Sequence, residues 1–244
     1  MRAEKFIEIL LDTKSDPTDF LRIRRGIPLG ETAEGALVFS RLKESPYLVK
    51  HTAVTGVERT QFIKRLIILL SALYKEEEAS FLILSPKTEY TNLMRLKGKD
   101  VNVIYIRTKE DLESGKKCLR DLLDMRKTMR CPRLFVVLDG LEDMENCNQK
   151  GELEEYREIL EMARGKDVEI ITGADLIKSI FSGYPGAFVD VGNCLITTCG
   201  AGKADVTYVG EDASLSLPTA LVYPNESTID EAIAFVNTLV ESVE

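Results

Sequence analysis

The sequence predicts an α/β fold with a doubly wound, mostly parallel β-sheet. Between Leu48 and Asp175, short apolar runs alternate with longer amphipathic segments, as strands joined by crossover helices do. Two of these runs, SFLILSP and VNVIYIR, are apolar without alternation, which is typical of parallel strands buried on both faces. Beyond Tyr184, short apolar runs follow one another without helical segments, and these predict antiparallel strands that extend one edge of the sheet.

Length, charge and cysteine content limit the classes of function. A chain of 244 residues can bury a substantial core. Its net charge of −8 argues against a protein that coats a nucleic acid, which needs a basic face. The most apolar stretch, around Leu66 to Leu73, is far shorter than the roughly 20 residues of a membrane span. Five cysteines without paired spacing predict reduced structural thiols. We therefore expect a cytoplasmic protein without nucleic-acid partners and without direct membrane insertion.

The N-terminal part divides into a lead-in and the start of a domain. Residues 1–25 are predicted to form a linker helix and lead-in, because apolar residues of helical spacing precede the turn-like TKSDPTD. Residues 26–244 are predicted to form a single domain. It opens on a β-hairpin whose turn spans Gly30 to Gly35, and the buried strand SPYLVKHT follows.

The remaining elements follow from periodicity and capping. Helices are predicted where apolar residues recur at helical spacing, in QFIKRLIILLSALY, KEDLESGKKCLRDLLDMRKTM, GELEEYREILEMARG and LIKSIFSGY. RLFVVLDGLEDM and VEIITGAD are predicted strands. The chain ends on an amphipathic helix, TIDEAIAFVNTLVESV, with Thr228 or Ser227 as its N-cap. CGAGKAD imitates the end of a phosphate-binding loop, but no helix follows it, and we interpret it as an edge turn.

The central stretch, Leu48 to Lys75, consists of a strand, a loop closing on Gly56, and a helix. This order is typical of a phosphate-binding P-loop, G-x-x-x-x-G-K-[ST]. In that frame His51 stands at the first glycine, Gly56 at the second, Val57 at the lysine and Glu58 at the hydroxyl residue, with Thr52, Ala53, Val54 and Thr55 between the glycines. A carboxylate at a helix N-terminus repels phosphate. An ordinary strand-turn-helix is the alternative interpretation.

Several segments in the same order resemble the FtsK/SpoIIIE-type ATPase domain, which has a RecA-like P-loop NTPase fold. IPLG and SPYLV resemble the lead-in of that family, FLILSPK its next core strand, and RLFVVLDGLEDM its Walker B strand. The resemblance implies that Asp139 is the retained magnesium-ordering aspartate and that Gly140 replaces the catalytic glutamate. It also implies that Asp175 stands where the family has a polar amide that senses the terminal phosphate.

These departures imply a degenerate nucleotide pocket formed by residues 51–59, Asp139, Gly140 and Asp175. We expect no catalytic residues, no metal site, and weak or absent binding of ATP and Mg²⁺. Arg59 and Lys50 could supply a substitute charge, but Arg59 is expected to project elsewhere on its helix, because it lies two residues past the lysine position.

Degenerate domains of this kind are typical of the membrane-anchored type VII secretion motors of the EssC/EccC family. The resemblance implies a C-terminal module of such a motor, in the cytoplasmic part of a cell-membrane protein, that acts in substrate recognition or in regulation of the motor. The implied partners are other ATPase domains of the same chain and small helical secretion substrates of the WXG type. The substrate groove is not located, and the late aromatic residues Phe181, Tyr184, Phe188 and Tyr223 are more typical of core. Two alternatives remain, an active ATP-driven DNA translocase and a purely structural ring or stack module.

Overall fold

The fold is seen in a computed structural model that describes residues 1–15, 26–40, 50–145, 149–163, 168–173, 194–208 and 216–241. Its helices are α1 (Ala3–Ser15), α2 (Arg59–Leu73), α3 (Lys109–Met125), α4 (Gln149–Ala163) and α5 (Ile229–Glu241), with 3-10 helices η1 (Thr88–Arg95) and η2 (Leu141–Asp143). Its strands are β1 (Pro28–Glu31), β2 (Leu37–Phe39), β3 (Lys50–Val57), β4 (Ala79–Ser85), β5 (Asp100–Tyr105), β6 (Arg133–Asp139), β7 (Val168–Gly173), β8 (Cys194–Gly200), β9 (Lys203–Tyr208) and β10 (Thr219–Val222).

The described strands form one sheet in the order β2-β1-β10-β9-β8-β3-β7-β6-β4-β5. The strands from β8 to β5 in that order pair in parallel, whereas β9, β10, β1 and β2 continue the sheet with antiparallel pairings. The predicted fold class, a mostly parallel doubly wound sheet with antiparallel edge strands, is confirmed. Because parallel strands share a direction, the carboxyl ends of β3, β4, β6 and β7 meet at one end of the sheet, where open α/β sheets bind their ligands.

Helices cover both faces of the sheet, and each face has its own apolar core. On one face α1, α2 and α5 pack together, and the apolar stripe of α2 buries Phe62, Ile63 and Leu66. On the other face α3 and α4 bury Leu119 and Ile159. Each fully buried side chain of this size stabilises the fold by about 1.5–3 kcal/mol. The two cores hold the ends of the parallel strands in fixed positions.

The predicted linker helix is part of the domain core. Phe6, Ile7 and Leu10 on α1 are completely buried, and the Ala3 N–H donates to Ser227 Oγ at 3.1 Å. α1 is therefore not a separate linker, since it packs against α2 and α5. The division between residues 25 and 26 remains a prediction because residues 16–25 lie outside the described ranges.

Two local predictions at the C-terminal end are confirmed. Thr228 caps α5, since its Oγ1 accepts from the Glu231 N–H at 3.2 Å and its own N–H donates to Glu231 Oε2 at 2.7 Å. CGAGKAD contains the turn between β8 and β9, where Ala201 and Gly202 both have positive φ. The first of the short apolar runs beyond Tyr184, AFVDVG, which we expected to form a strand, and the helix predicted in LIKSIFSGY lie outside the described residues.

Candidate functional site

The stretch that we expected to be a loop is a strand. β3 continues through His51 to Val57, and its last two residues, Gly56 and Val57, pair with Thr198 and Cys199 of β8. The prediction of a glycine-closed loop was therefore wrong. β-branched residues favour an extended backbone, and this run contains four of them before Glu58.

The strand conformation removes the anion cradle that a P-loop provides. In a P-loop, consecutive backbone amides converge on the phosphates. Here Thr52, Ala53 and Val54 are buried and paired with strands on both sides, and the buried Thr55 is paired with β8. The ring of His51 is also buried, with Nε2 at 2.8 Å from Thr172 Oγ1. These residues contribute to the core of the sheet.

A single residue, Glu58, turns the chain from β3 into α2. Its φ of +64° lies in the left-handed region that favours glycine. Its carboxylate accepts a hydrogen bond from the Tyr223 hydroxyl at 3.2 Å and makes no side-chain cap to α2. Val57, before the turn, is 65% exposed. The turn fixes the direction of α2 and so the placement of its first residues.

Asp139, at the carboxyl end of β6, is completely buried and is the centre of a hydrogen-bonded ion cluster. Its Oδ1 accepts from Arg59 Nε at 3.1 Å. Its Oδ2 accepts from Thr60 Oγ1 at 2.7 Å, Tyr90 Oη at 3.0 Å and Lys87 Nζ at 3.2 Å. Two cations and two hydroxyls from α2, η1 and the segment that follows β4 thus converge on one carboxylate.

The same cations also contact the acidic 3-10 helix that follows β6. The Arg59 guanidinium donates a second hydrogen bond to Glu142 Oε1, and Lys87 Nζ lies 4.0 Å from Asp143 Oδ2. Arg59 therefore bridges Asp139 and Glu142. We call the group formed by Arg59, Thr60, Lys87, Tyr90, Asp139 and Glu142 the Asp139 cluster.

Two glycines make room for this cluster. A Cβ at Gly173 would lie 2.3 Å from Asp139 Oδ1, and one at Gly140 would lie 2.7 Å from Lys87 Cε. Gly140 also has a φ of +83°, a backbone conformation that costs energy for other residues. A glutamate at position 140 would therefore require both a strained backbone and a shift of Lys87.

The cluster keeps Tyr90 in its hydrogen-donating form. Burial foremost, and then the neighbouring Asp139 carboxylate, raise the pKa of Tyr90 well above its ordinary value of 10.0. The phenol is neutral at any physiological pH as a result, and its O–H remains available to Asp139.

The positions of Arg59 and Thr60 show that our alignment of this stretch with the P-loop motif was displaced by two residues. Both are the first residues of α2 and both contact Asp139, so the expectation that Arg59 projects elsewhere was wrong. They match the lysine and hydroxyl positions of G-x-x-x-x-G-K-[ST] when the frame moves by two residues, with Ala53 and Glu58 at the glycines. Lys50 lies at the opposite end of β3, roughly 20 Å away at about 3.3 Å per residue, and cannot reach the cluster.

The sequence-based interpretation missed four members of the cluster, Thr60, Lys87, Tyr90 and Glu142. Thr60 could have been found from the Arg-Thr pair at the start of the helix, but Gly56 had been taken as the last glycine of the motif. The other three approach Asp139 from distant positions in the chain, and no local pattern marks them. Gly140 follows β6 as predicted, whereas Asp175 lies outside the described residues.

The residues at this site do not fit a magnesium nucleotide. In P-loop proteins the magnesium ion is held by the loop hydroxyl and the Walker B aspartate, but here Thr60 and Asp139 are hydrogen-bonded to each other. Both oxygens of Asp139 already accept from cations of the chain. Glu58 adds a negative charge at the N-terminus of α2, where a phosphate would bind.

A second ion cluster lies between α3 and α4. The carboxylates of Glu113, Glu155 and Glu158 lie close enough together to hold a metal ion, but the Lys116 ammonium already contacts all three of them. Lys116 is almost completely buried. We call these four residues the Lys116 cluster, in which an internal cation again stands among carboxylates.

An apolar cavity of about 470 Å³ lies at the amino ends of β4 and β5, at the opposite end of the sheet from Asp139. Its lining includes Leu11, Leu73, Val236 and Leu239.

The late aromatic residues are only partly described. Tyr223 is buried, and the centre of its ring lies 4.7 Å from that of Phe62 in an edge-on arrangement, while Phe181, Tyr184 and Phe188 lie outside the described ranges. Over the described part of the chain, no helix combines the length and apolar character needed to cross a membrane.

Comparison with known proteins gives matches in structure alone. No protein-family model matches the sequence, and no curated protein matches it. Among solved structures, the cytoplasmic domain of the type VII secretion ATPase EccC from Thermomonospora curvata is similar, with 15% identity and a TM-score of 0.59 over 89% of this chain and 31% of that one. EccC ATPases 2 and 3 in complex with a signal sequence peptide match with 14% identity and a TM-score of 0.53, over 83% of this chain and 41% of that one.

Two further structures extend the comparison. EssC ATPases 2 and 3 from Geobacillus thermodenitrificans match with 13% identity and a TM-score of 0.52, over 89% of this chain and 48% of that one. The pCW3 conjugation coupling protein TcpA, a monomer form with ATPγS, matches with 11% identity and a TM-score of 0.54, over 90% and 71% of the two chains. This chain spans about a third of the EccC structure. It has the P-loop ATPase fold that EccC, EssC and TcpA share.

Proposed function

We propose that this protein is a degenerate, non-hydrolysing ATPase-like domain of a type VII secretion motor, and that it acts in substrate recognition or in regulation of the motor. The observation that carries the proposal is the Asp139 cluster, in which Arg59 and Lys87 already neutralise the carboxylate that would order magnesium. The extended backbone of β3 and the carboxylate of Glu58 support it, because they remove the amide cradle and place a negative charge beside it.

The glycine at the position of the catalytic glutamate points in the same direction. Hydrolysis needs a group that orients or activates the attacking water, and Gly140, next to Asp139, has no side chain to do so. Loss of one catalytic group commonly costs about 10²–10⁴ in rate. We therefore expect no measurable turnover, which disfavours an active DNA translocase.

A role alongside other ATPase domains is supported by the kind of protein that shares the fold. The similar EccC and EssC structures contain more than one ATPase, and one EccC structure holds a signal sequence peptide. We propose that this domain has neighbouring ATPase domains as partners, on the cytoplasmic side of the membrane, and that a small helical secretion substrate of the WXG type is its ligand.

Calorimetric titration with Mg-ATP tests the first part of the proposal. We expect no binding heat up to millimolar nucleotide and an unchanged Tm, because a ligand that binds the native state must raise it. Binding in the micromolar range, or any ATP hydrolysis above a no-protein control, would contradict the proposal.

Titration with a helical-hairpin secretion substrate tests the second part. We expect the full-length substrate to bind and a version with a scrambled C-terminal tail to bind at least tenfold more weakly. If neither version binds this domain, alone or joined to a neighbouring ATPase domain, the structural ring or stack module is favoured over substrate recognition.

A further inference from the structure

The arrangement of Arg59 between two carboxylates has the form of a filled cation site. Its Nε donates to Asp139 Oδ1 and its Nη2 to Glu142 Oε1, so one guanidinium bridges two acidic side chains from the end of β6 and from η2. Asp139 is held in place independently of Arg59, because Thr60, Lys87 and Tyr90 also donate to it. The Glu142 carboxylate is positioned by Arg59 and lies beside the fixed Asp139 ligand.

We propose that the Arg59 guanidinium is the resident cation of this domain and replaces a divalent metal ion at a latent site formed by Asp139 and Glu142. Arg59 is only 8% exposed and Asp139 is completely buried, so water solvates neither charge well and each needs a partner of opposite charge. Magnesium and manganese are commonly bound by one or two carboxylates, with waters completing the coordination. The two carboxylates bridged by Arg59 supply that ligand set once the guanidinium is removed.

The charge balance around Asp139 explains why a cation is required. Three carboxylates, Asp139, Glu142 and Asp143, face two cations, Arg59 and Lys87, so the site carries one net negative charge. Without Arg59 the net charge is −2, and Glu142 loses the cation it shares with Asp139. Because Asp139 is completely buried, its repulsion with the neighbouring Glu142 carboxylate is poorly screened, and a divalent cation would offset it.

The inference rests on the proposal that the domain does not use a magnesium nucleotide, but it is tested separately. The test uses Mn²⁺ alone and the variant Arg59→Ala, which leaves room for an ion and its waters. We expect Mn²⁺ to bind this variant with a dissociation constant on the order of 10⁻⁴ M, and to bind the wild-type protein at least tenfold more weakly. We also expect 10 mM Mn²⁺ to raise the Tm of the variant by about 5 °C or more and to raise that of the wild-type protein by at most about half as much.

Two control variants make the result specific. Arg95→Ala removes an arginine from an exposed ion pair with Asp230, where the N–O distance is 2.7 Å, and should gain no response to Mn²⁺. Arg59→Ala combined with Glu142→Gln should lose most of the response, because one of the two carboxylate ligands is gone. If Arg59→Ala is folded and its Tm and Mn²⁺ binding match those of Arg95→Ala, the inference is wrong.

A variant that does not fold in the absence of metal still gives a decisive result. Arg59→Ala should then recover native circular dichroism when refolded with 10 mM Mn²⁺ and remain unfolded with EDTA, and failure to recover with Mn²⁺ overturns the inference. Mg-ATP binding by the wild-type protein would instead contradict the proposed function and leave the Mn²⁺ result unaffected. The two failures can therefore be distinguished.

Discussion

The Asp139 cluster and the Lys116 cluster have opposite charge arrangements. In the first, a buried carboxylate accepts from two cations and two hydroxyls, whereas in the second a buried ammonium contacts three carboxylates. Their surroundings also differ. The side chains of Arg59 and Lys87 are 9% and 21% exposed, but those of Glu113 and Glu158 are 49% and 48% exposed.

This difference in exposure determines how much stability the protein loses when a member of each cluster is removed. Glu113 and Glu158 can be solvated if the lysine is lost and also lie near Arg120, while the less exposed Glu155 keeps Lys109 at 3.7 Å. Arg59 and Asp139 have no such access to water. Disruption of the Asp139 cluster therefore leaves a buried unpaired charge. This cluster lies at the carboxyl ends of the parallel strands, where open α/β sheets bind ligands.

Asp139→Asn is the substitution with the largest expected effect. It keeps the shape but turns one oxygen into an N–H donor that must face the donors of Arg59, Lys87, Thr60 or Tyr90. We expect a loss of about 3–5 kcal/mol in the free energy of unfolding, measured by urea denaturation. A loss below about 1 kcal/mol would mean that the Asp139 cluster stabilises the fold no more than an exposed ion pair does.

Gly173→Ala tests the packing around Asp139 without changing any charge. The new Cβ would lie 2.3 Å from Oδ1 and 2.7 Å from Ile63 Cδ1, so the carboxylate has to move. We expect a loss at the upper end of the ~1–3 kcal/mol that overpacking costs. A double-mutant cycle with Asp139→Ala, which removes Oδ1, should show coupling between the two sites. Additive losses would mean that the strain lies against Ile63 alone.

Tyr90→Phe removes one neutral donor from Asp139 and keeps the ring. A hydrogen bond to a charged group contributes about 1.5–3 kcal/mol to stability. We expect the free energy of unfolding to fall by about 1.5 kcal/mol, because three other donors to Asp139 remain. Urea denaturation at neutral pH measures the loss. Because the pKa of folded Tyr90 is raised, the difference between wild type and variant should stay constant up to about pH 9 and then shrink, as the tyrosine of the unfolded chain ionises near pH 10. A difference that grows above pH 9 would show that the pKa of Tyr90 in the folded state is not raised.

The fold was predictable because burial leaves a direct pattern in the sequence. Continuous apolar runs such as FLILS and LFVVL have no polar face, so they predict strands covered on both sides. The helix after β3 was predictable because its apolar residues recur at helical spacing. The role of α1 was missed, since apolar residues at helical spacing do not show which surface they cover.

The site was less predictable because its geometry depends on one backbone angle and on distant residues. Asp139 could be found from the strand that precedes it. The left-handed turn at Glu58 shortens the connection from β3 to α2 to one residue, and this moves Arg59 to the first helical position. A glutamate gives no local signal for that conformation. Lys87 and Tyr90 reach Asp139 only through the pairing of β4 with β6.

Lys116→Met has the smallest expected effect on the free energy of unfolding. The pH dependence of this effect tests the contrast between the Asp139 cluster and the Lys116 cluster. The hydrogen bond from Lys116 is the main cause that lowers the pKa of Glu158. The pKa of Lys116 is itself raised: burial alone would lower it, but hydrogen bonds to its three glutamates outweigh burial. A lowered carboxyl pKa adds stability above the unfolded-state value of about 4.3, and this stability is lost as the pH falls through the folded-state pKa.

We therefore expect Lys116→Met to cost about 1 kcal/mol at pH 7, and the difference from wild type to shrink as the pH falls below the unfolded-state value and through the lowered pKa of Glu158. At pH 7 the difference should also shrink between 0.05 and 1 M salt, because Glu113 and Glu158 are half exposed and their pairing is screened. The loss caused by Asp139→Asn should change much less with salt, since buried pairs are screened weakly. Equal salt dependence in the two variants would mean that solvent reaches both clusters, and the contrast in burial would no longer explain their different contributions.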